Sequence, residues 1–114
     1  MITIYGIPNC DTIKKARKWL DAAGCEYQFH DFRKDGLDEK QLKDWVNELG
    51  WETLLNKRGT TWRQQPDEVK NSINEAFAIK LMLEHPAMIK RPVMDTGDLR
   101  KVGFKDTEYA ALLD

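Results

Sequence analysis

Cysteine is scarce in this chain: 2 of 114 residues, Cys10 and Cys25. Two are too few for a disulfide scaffold, so the fold must rest on a buried apolar core. A chain of 13.3 kDa buries roughly two-thirds of its unfolded surface, enough for one such core. Long hydrophobic runs are missing as well. No stretch approaches the roughly 20 apolar residues that a membrane span needs. The opening Met1-Ile2-Thr3-Ile4-Tyr5 has neither the basic start nor the long apolar centre of a signal peptide. A cytoplasmic protein with reduced thiols is expected. Neither sign of charge predominates: 18 Lys and Arg oppose 19 Asp and Glu, for a net charge of -1. That excludes a strongly basic nucleic-acid module and leaves room for a local basic patch. Repeats, low-complexity tracts and Pro- or Ser-rich linkers are absent, so a single domain over 1–114 is expected. The sequence also has no glycine-rich phosphate loop and no serine nucleophile elbow.

What is present is a clear order of elements. Ile2, Ile4 and Tyr5 form a β-branched and aromatic run that Gly6-Ile7-Pro8-Asn9 breaks. The spacing then predicts a helix from Asp11 to Ala23, with Ile13, Ala16, Leu20 and Ala23 on the core side. Lys14, Lys15, Arg17 and Lys18 fall mostly on the water side, and Gly24 closes the helix. Cys25 to His30 alternates as a second strand, which makes a short βαβ unit with parallel strands. Asp38 and Gln41 suit a capping box, with Leu37 and Leu42 as its staple. The helix they open carries Leu42, Trp45, Val46 and Leu49 on one face and ends at Gly50.

Trp51 to Leu55 reads as an apolar connector and Asn56 to Arg63 as a polar loop that leaves Trp62 free to be exposed. Trp19, Trp45 and Trp51 are expected to pack. Ser72 and Glu75 suggest another capping box, opening a helix that runs to His85 and stops at Pro86. Two short strands flank the turn cluster Asp95-Thr96-Gly97-Asp98, and a closing helix is expected over Asp106 to Leu113. The expected fold class is α/β: a mixed sheet of the form βαβ…ββα, with a helical insertion at about 37–86.

The chemistry concentrates at few positions. Cys10 follows a strand-ending loop and directly precedes a helix, where free N–H groups and the helix dipole stabilise a thiolate. Lys14 lies one turn on. The alternative for Cys10 is a small buried residue at a turn. Cys25 reads as structural, because a helix of about 13 residues spans roughly 20 Å and a disulfide needs Cα atoms within about 7 Å. Cys10-Asp11-Thr12-Ile13 lacks the second cysteine of a C-x-x-C dithiol, so a resolving thiol would come from another molecule. Arg91, held extended by Pro92, would offer a bidentate fork to a carboxylate or oxyanion; a solvated basic pair with Lys90 is the other reading. Arg58 and Arg63, with Thr60 and Thr61, would bind an anion or a peptide, or form a merely solvated loop. His30 and His85 have no ligand spacing with each other or with the cysteines, so no metal is expected.

Three stretches together carry a resemblance that covers essentially the whole chain. They are Ile4-Tyr5-Gly6-Ile7-Pro8-Asn9-Cys10-Asp11-Thr12, Leu54-Leu55-Asn56-Lys57-Arg58-Gly59-Thr60-Thr61-Trp62-Arg63, and His85-Pro86-Ala87-Met88-Ile89-Lys90-Arg91-Pro92-Val93. In order and spacing the chain resembles the arsenate reductase-like ArsC/Spx family, most of all its YffB branch of glutathione-dependent thiol reductases. The resemblance implies a thioredoxin-like fold, Cys10 as nucleophile and Pro92 as a cis-proline beside it. Glutathione would be the co-substrate, with no bound cofactor, and the substrate a small oxyanion or disulfide. Asn9 would belong to the substrate-binding loop. Arsenate reductases surround their cysteine with three arginines. Here Arg91 matches one of them, Asn56 stands at the middle position with Arg58 two residues on, and Lys105 aligns with the last. The family's Spx branch implies a different role, an RNA polymerase-binding regulator without catalysis. Its redox-switched members carry C-x-x-C, and this chain has Ile13 at the second position. A monomer without direct nucleic-acid or membrane contact is expected.

Overall fold

The computed structural model describes residues 2–113. Its first strand, β1 (Ile2–Gly6), is followed by helix α1 (Asp11–Ala22) and strand β2 (Tyr27–Asp31). β1 and β2 pair in parallel, with Ile2 opposite Tyr27 and Gly6 opposite Asp31. The chain returns late in the sequence as β3 (Val93–Asp95) and β4 (Arg100–Val102), an antiparallel hairpin. β3 lies antiparallel to β1 on the side away from β2, giving the order β2-β1-β3-β4. Helix α7 (Asp106–Leu113) closes the chain. A βα β unit and a ββα unit sharing one mixed sheet make a thioredoxin-like fold, as expected.

The ends of α1 show how local sequence positions the elements. Cys10 is its N-cap, in extended conformation, and its carbonyl takes the first helical bond from the Lys14 N–H at 3.0 Å. At the far end Gly24 adopts φ +71°. Its N–H donates to the Asp21 carbonyl, and the Cys25 N–H donates to the Leu20 carbonyl at 3.0 Å. This pair of hydrogen bonds is a Schellman closure, which ends a helix through a left-handed conformation that glycine adopts without strain. It corrects two sequence expectations. Ala23 is the C-cap and is exposed rather than in the core. Cys25 belongs to the closure, so β2 starts at Tyr27 and not at Cys25.

Ile13, Ala16 and Leu20 form the buried stripe of α1 and pack with Ile4, Met94 and Tyr109 into the core of this part of the chain. Ile4 and Met94 are register partners on neighbouring strands, so they present one apolar patch to the helix. The hairpin turn is built by short polar side chains. Gly97, at φ +94°, donates its N–H to Asp95 Oδ1 at 2.8 Å, and the Leu99 N–H donates to Thr96 Oγ1 at 3.3 Å.

By contacts the chain divides into two units, residues 1–35 with 91–114 and residues 36–90. The second is all helical: α2 (Glu39–Leu49), α3 (Trp51–Leu54), α4 (Thr60–Arg63), α5 (Asp67–Asn71) and α6 (Glu75–Glu84), then a 3-10 turn at Pro86–Met88. Asp38 caps α2 through the Gln41 N–H at 3.1 Å, and Leu42, Trp45 and Val46 are buried as their spacing predicts. The apolar connector proves to be α3. The polar loop contains α4, and Trp62 is buried, at 8% exposure, not solvent-facing.

The cap of α6 also differs from expectation. Asn74, not Ser72, is the N-cap: its Oδ1 accepts the Phe77 N–H at 2.9 Å. Ser72 instead ends α5, and its hydroxyl donates to the Glu68 carbonyl at 2.7 Å. Two cap-forming residues, Ser72 and Asn74 with Ile73 between them, compete, and the short helix upstream claims the first. Replacing Asn74 with alanine is therefore expected to cost about 1 kcal/mol, and Ser72→Ala no more than about 0.5 kcal/mol. Urea denaturation of both variants checks this, and the reverse order would restore Ser72 as the cap.

Candidate active site

The loop Ile7 to Asn9 carries the chain from the end of β1 to the start of α1. Its tightness rests on a backbone bond from the Cys10 N–H to the Ile7 carbonyl, 3.3 Å. Gly6 lets the first turn of α1 approach the strand end. A Cβ there would run into Ile13 Cδ1, would meet Cγ1 at 3.0 Å, and would stand 3.8 Å from the Arg91 Cβ. Ile13 is fully buried, so its side chain would have to shift within the core to admit that Cβ. Gly6 was readable from sequence only as a strand breaker; the close approach it permits is a tertiary fact.

Cys10 is half-buried and reduced, with its side chain against the core of the first unit. Burial pushes its thiol pKa up, but this is outweighed, and the thiol is held below its ordinary value. The opposing groups are the backbone N–H groups of Ile13 and Thr12, then the Arg91 guanidinium, which acts both as a charge and as a hydrogen-bond donor. Ile13 and Thr12 are the third and second residues of α1, so their N–H groups have no partner within the helix. The neutral thiol forms no cap hydrogen bond; these N–H groups act on the charge of the thiolate. The helix N-terminus at Cys10 is legible in the sequence, where Ile13 reads only as core. Its dual position follows from being both the third residue of the helix and part of the buried stripe.

Arg91 reaches the sulfur because Pro92 and β3 anchor the segment behind it. The Arg91–Pro92 peptide is cis, the isomer the resemblance implies, and Pro92 is buried. The Pro92 carbonyl accepts the Gly103 N–H at 2.8 Å, tying the segment to the end of β4. Asn9 is exposed next to Cys10.

The other residues singled out in the sequence have different surroundings. Lys105 is exposed, just before α7, and lines a groove with Lys15, Lys18 and Trp19; its charge is not among those acting on Cys10. Asn56 and Arg58 belong to the second unit. Asn56 Oδ1 accepts the Arg58 N–H at 3.1 Å, and the Asn56 N–H donates to the Met88 carbonyl at 2.6 Å. The Arg58 carbonyl accepts Arg63 Nε at 3.1 Å. Lys57 Nζ lies 5.9 Å from the Trp51 ring centre and 5.8 Å from that of Trp62. This loop is thus internally ordered, with the Arg58 residue exposed.

Cys25 lies beyond the 12 residues of α1, roughly 18 Å of helix at about 1.5 Å per residue. Both cysteines are free. Among the described residues no three His, Cys, Asp or Glu side chains are grouped to hold a metal ion, and no helix is long and apolar enough to cross a membrane.

Comparison with known proteins places this arrangement. A protein of known structure called YffB superposes with a TM-score of 0.95, at 48% identity and over 100% of both chains. An arsenate reductase (ArsC) related protein from Brucella melitensis superposes at 0.82, also 48% identical, over 96% of this chain and 92% of that one. The global transcriptional regulator Spx of Lactiplantibacillus plantarum is 25% identical over 99% of this chain and 86% of its own. The family model of the ArsC family matches residues 5–112. From the strand that ends at Gly6 to the last turn of α7, the chain belongs to the ArsC family.

Proposed function

We propose that this protein is a glutathione-dependent thiol oxidoreductase with Cys10 as its nucleophile. The observation that carries the reading is a thiol at a helix N-cap, lowered in pKa by two backbone N–H groups and by Arg91. The Cys10 thiolate attacks one sulfur of a disulfide substrate. A Cys10–substrate S–S bond forms, the substrate's own S–S bond breaks, and the second sulfur leaves as a thiolate. Glutathione thiolate then attacks the mixed disulfide at the substrate sulfur or, where the bound half is glutathione itself, releases oxidised glutathione. Cys10 leaves as the thiolate it began as. With an oxyanion such as arsenate, the Cys10 thiolate forms an S–As bond as one oxygen leaves as water. Glutathione then attacks the Cys10 sulfur, and the S–As bond breaks with its electron pair staying on arsenic, which leaves as arsenite. A second glutathione attacks the resulting Cys10–glutathione disulfide, releasing oxidised glutathione and the Cys10 thiolate. Arg91 holds the anionic group in either case, and Asn9 and Pro92 border the position it occupies. The planar Arg91 guanidinium suits a carboxylate, such as glutathione carries, as well as an oxyanion.

The pH dependence of iodoacetamide alkylation tests the electrostatics, with Cys25→Ser as background so that one thiol reports. The rate of Cys10 alkylation is expected to level off below the pH at which a free thiol, pKa about 8.5, does so. In Arg91→Ala the midpoint moves up, because a charge and a donor that favour the thiolate are gone. Protection by glutathione is expected in the parent and reduced in Arg91→Ala. An ordinary midpoint that Arg91→Ala leaves in place would remove the basis of the proposal.

A second reading has its own support in the relatives named Spx, which match along nearly the whole chain. A polymerase-binding regulator would bind RNA polymerase stoichiometrically, and Cys10→Ser would leave that binding intact. Absence of binding at micromolar concentration would dispose of this reading.

A further inference from the structure

The flank of α1 away from the core carries a groove of about 610 Å³ whose chemistry the sulfur site does not use. Helical spacing puts Lys15 and Lys18 on this flank, away from the buried stripe, and Trp19 at the border between the two, where it packs partly against the core. Phe104, Lys105 and Asp106 form the other wall, at the turn into α7. Lys15, Lys18 and Lys105 are exposed, and none of them forms an ion pair among the described residues. The floor is aromatic. Trp19 and Phe104 are half-buried, and each meets the Tyr109 ring edge-on, at centroid distances of 5.7 Å and 4.7 Å. Both rings are thereby held in place with part of their surface open to water.

Charge in this groove differs from that of the chain as a whole. Its walls carry three cations against the single carboxylate of Asp106, whereas the whole chain has a net charge of -1. Asp106 is itself occupied in part, since its Oδ1 accepts the Thr107 N–H at 2.8 Å. Glu108, the nearest further acid on α7, is held ionised by a hydrogen bond from Lys101, with Lys105 adding to the effect.

We propose that this groove docks an acidic peptide segment of a partner protein. Its carboxylates would face Lys15, Lys18 and Lys105, and one apolar side chain would sit between Trp19 and Phe104. Alternating charged and apolar recognition suits a polypeptide. A polynucleotide would meet an overall negative chain, and a continuous line of phosphates would be opposed by Asp106. The surface is independent of the thiol chemistry, so docking persists in Cys10→Ser.

Fluorescence anisotropy with a labelled peptide, Glu-Glu-Glu-Phe-Glu-Glu, tests the proposal on the full chain at low salt. Saturable binding is expected. It weakens at least about tenfold in the Lys15→Glu/Lys18→Glu double variant, the scale of two lost charge contacts in a partly desolvated site, and several-fold when the phenylalanine of the peptide is replaced by glycine. Circular dichroism establishes that the variant is folded. Should it fail to fold, peptide-induced NMR shifts in the isotope-labelled parent protein answer the question without mutation. The Trp19 indole N–H and the Phe104 ring are expected to move most. Absence of saturation at about 1 mM peptide, unchanged binding in the folded double variant, or shifts confined elsewhere would overturn the proposal. So would tighter binding of an oligothymidylate than of the peptide in the same assay.

Discussion

Cys10→Ser is expected to reduce the proposed glutathione-dependent turnover of a low-molecular-weight mixed disulfide, or of arsenate, to the rate of the uncatalysed mixture. The expected loss is on the order of a thousandfold or more, the scale seen when a nucleophile is deleted from a working site. The physical reason is ionisation. The two N–H groups and Arg91 stabilise charge on sulfur, and a serine hydroxyl stays protonated at neutral pH even when so surrounded. The variant should fold normally, because serine is at least as good an N-cap as cysteine and the first-turn N–H groups gain a neutral acceptor. Cys25→Ser is the matched control. Cys25 takes part in the helix closure through its backbone N–H, which serine also has. Its turnover is therefore expected to stay within about twofold of the parent, consistent with a nearly isosteric change away from the reacting atoms. Residual turnover in purified, folded Cys10→Ser would eliminate the proposed mechanism. Loss of turnover in folded Cys25→Ser would make Cys25 a resolving thiol despite the intervening helix.

The second large effect is on stability. Leu20→Ala is expected to destabilise the protein by about 2–5 kcal/mol. Leu20 is fully buried among Ile4, Ile13, Ala16, Met94 and Tyr109, so truncation removes apolar contact and leaves a cavity that strands and helices on all sides prevent from closing. Measured against a typical stability of about 5–15 kcal/mol, the loss takes a large share. A change at Ala23 is the contrast. Ala23→Ser is expected to alter stability by no more than about 0.5 kcal/mol, since the residue is an exposed C-cap. Denaturant midpoints of the two variants check both figures. Equal losses at the two positions would mean that the buried stripe of α1 extends to its last turn, contrary to the structure.

These two positions show where the sequence was legible. Periodicity placed Leu20 and Ala23 on the same side of one helix, and only the first is in the core. Gly24 was correctly read as the end of the helix. The Schellman closure it makes bends the chain away within one residue, so the position before it faces water. The same limit explains Ser72 and Asn74. Each is a good cap in isolation, and the choice between them depends on the five-residue helix Asp67–Asn71, which has too few apolar residues to announce itself. The polar neighbours of Trp62 allow it to be exposed. Its burial reflects packing within the second unit, which local polarity does not record.

Sequence by itself determined the order of the strands and of the longer helices, the parallel first pair of strands, the late hairpin and the position of Cys10 at the head of a helix. Those features depend on short-range rules: alternation, helical spacing, turn residues and caps. Tertiary structure alone decided which groups act on the sulfur. Ile13 and Thr12 lie close in sequence, but Arg91 is some eighty residues away in the chain, and it reaches Cys10 only because β3 pairs with β1 and brings the segment before Val93 to the end of the first strand. Equally, nothing local distinguishes Arg91 from Lys105 as a partner for the thiolate. Sheet pairing places one beside the sulfur, and the approach to α7 carries the other to the flank of α1, because long-range contacts are set by strand register and helix packing and not by the residues' own chemistry.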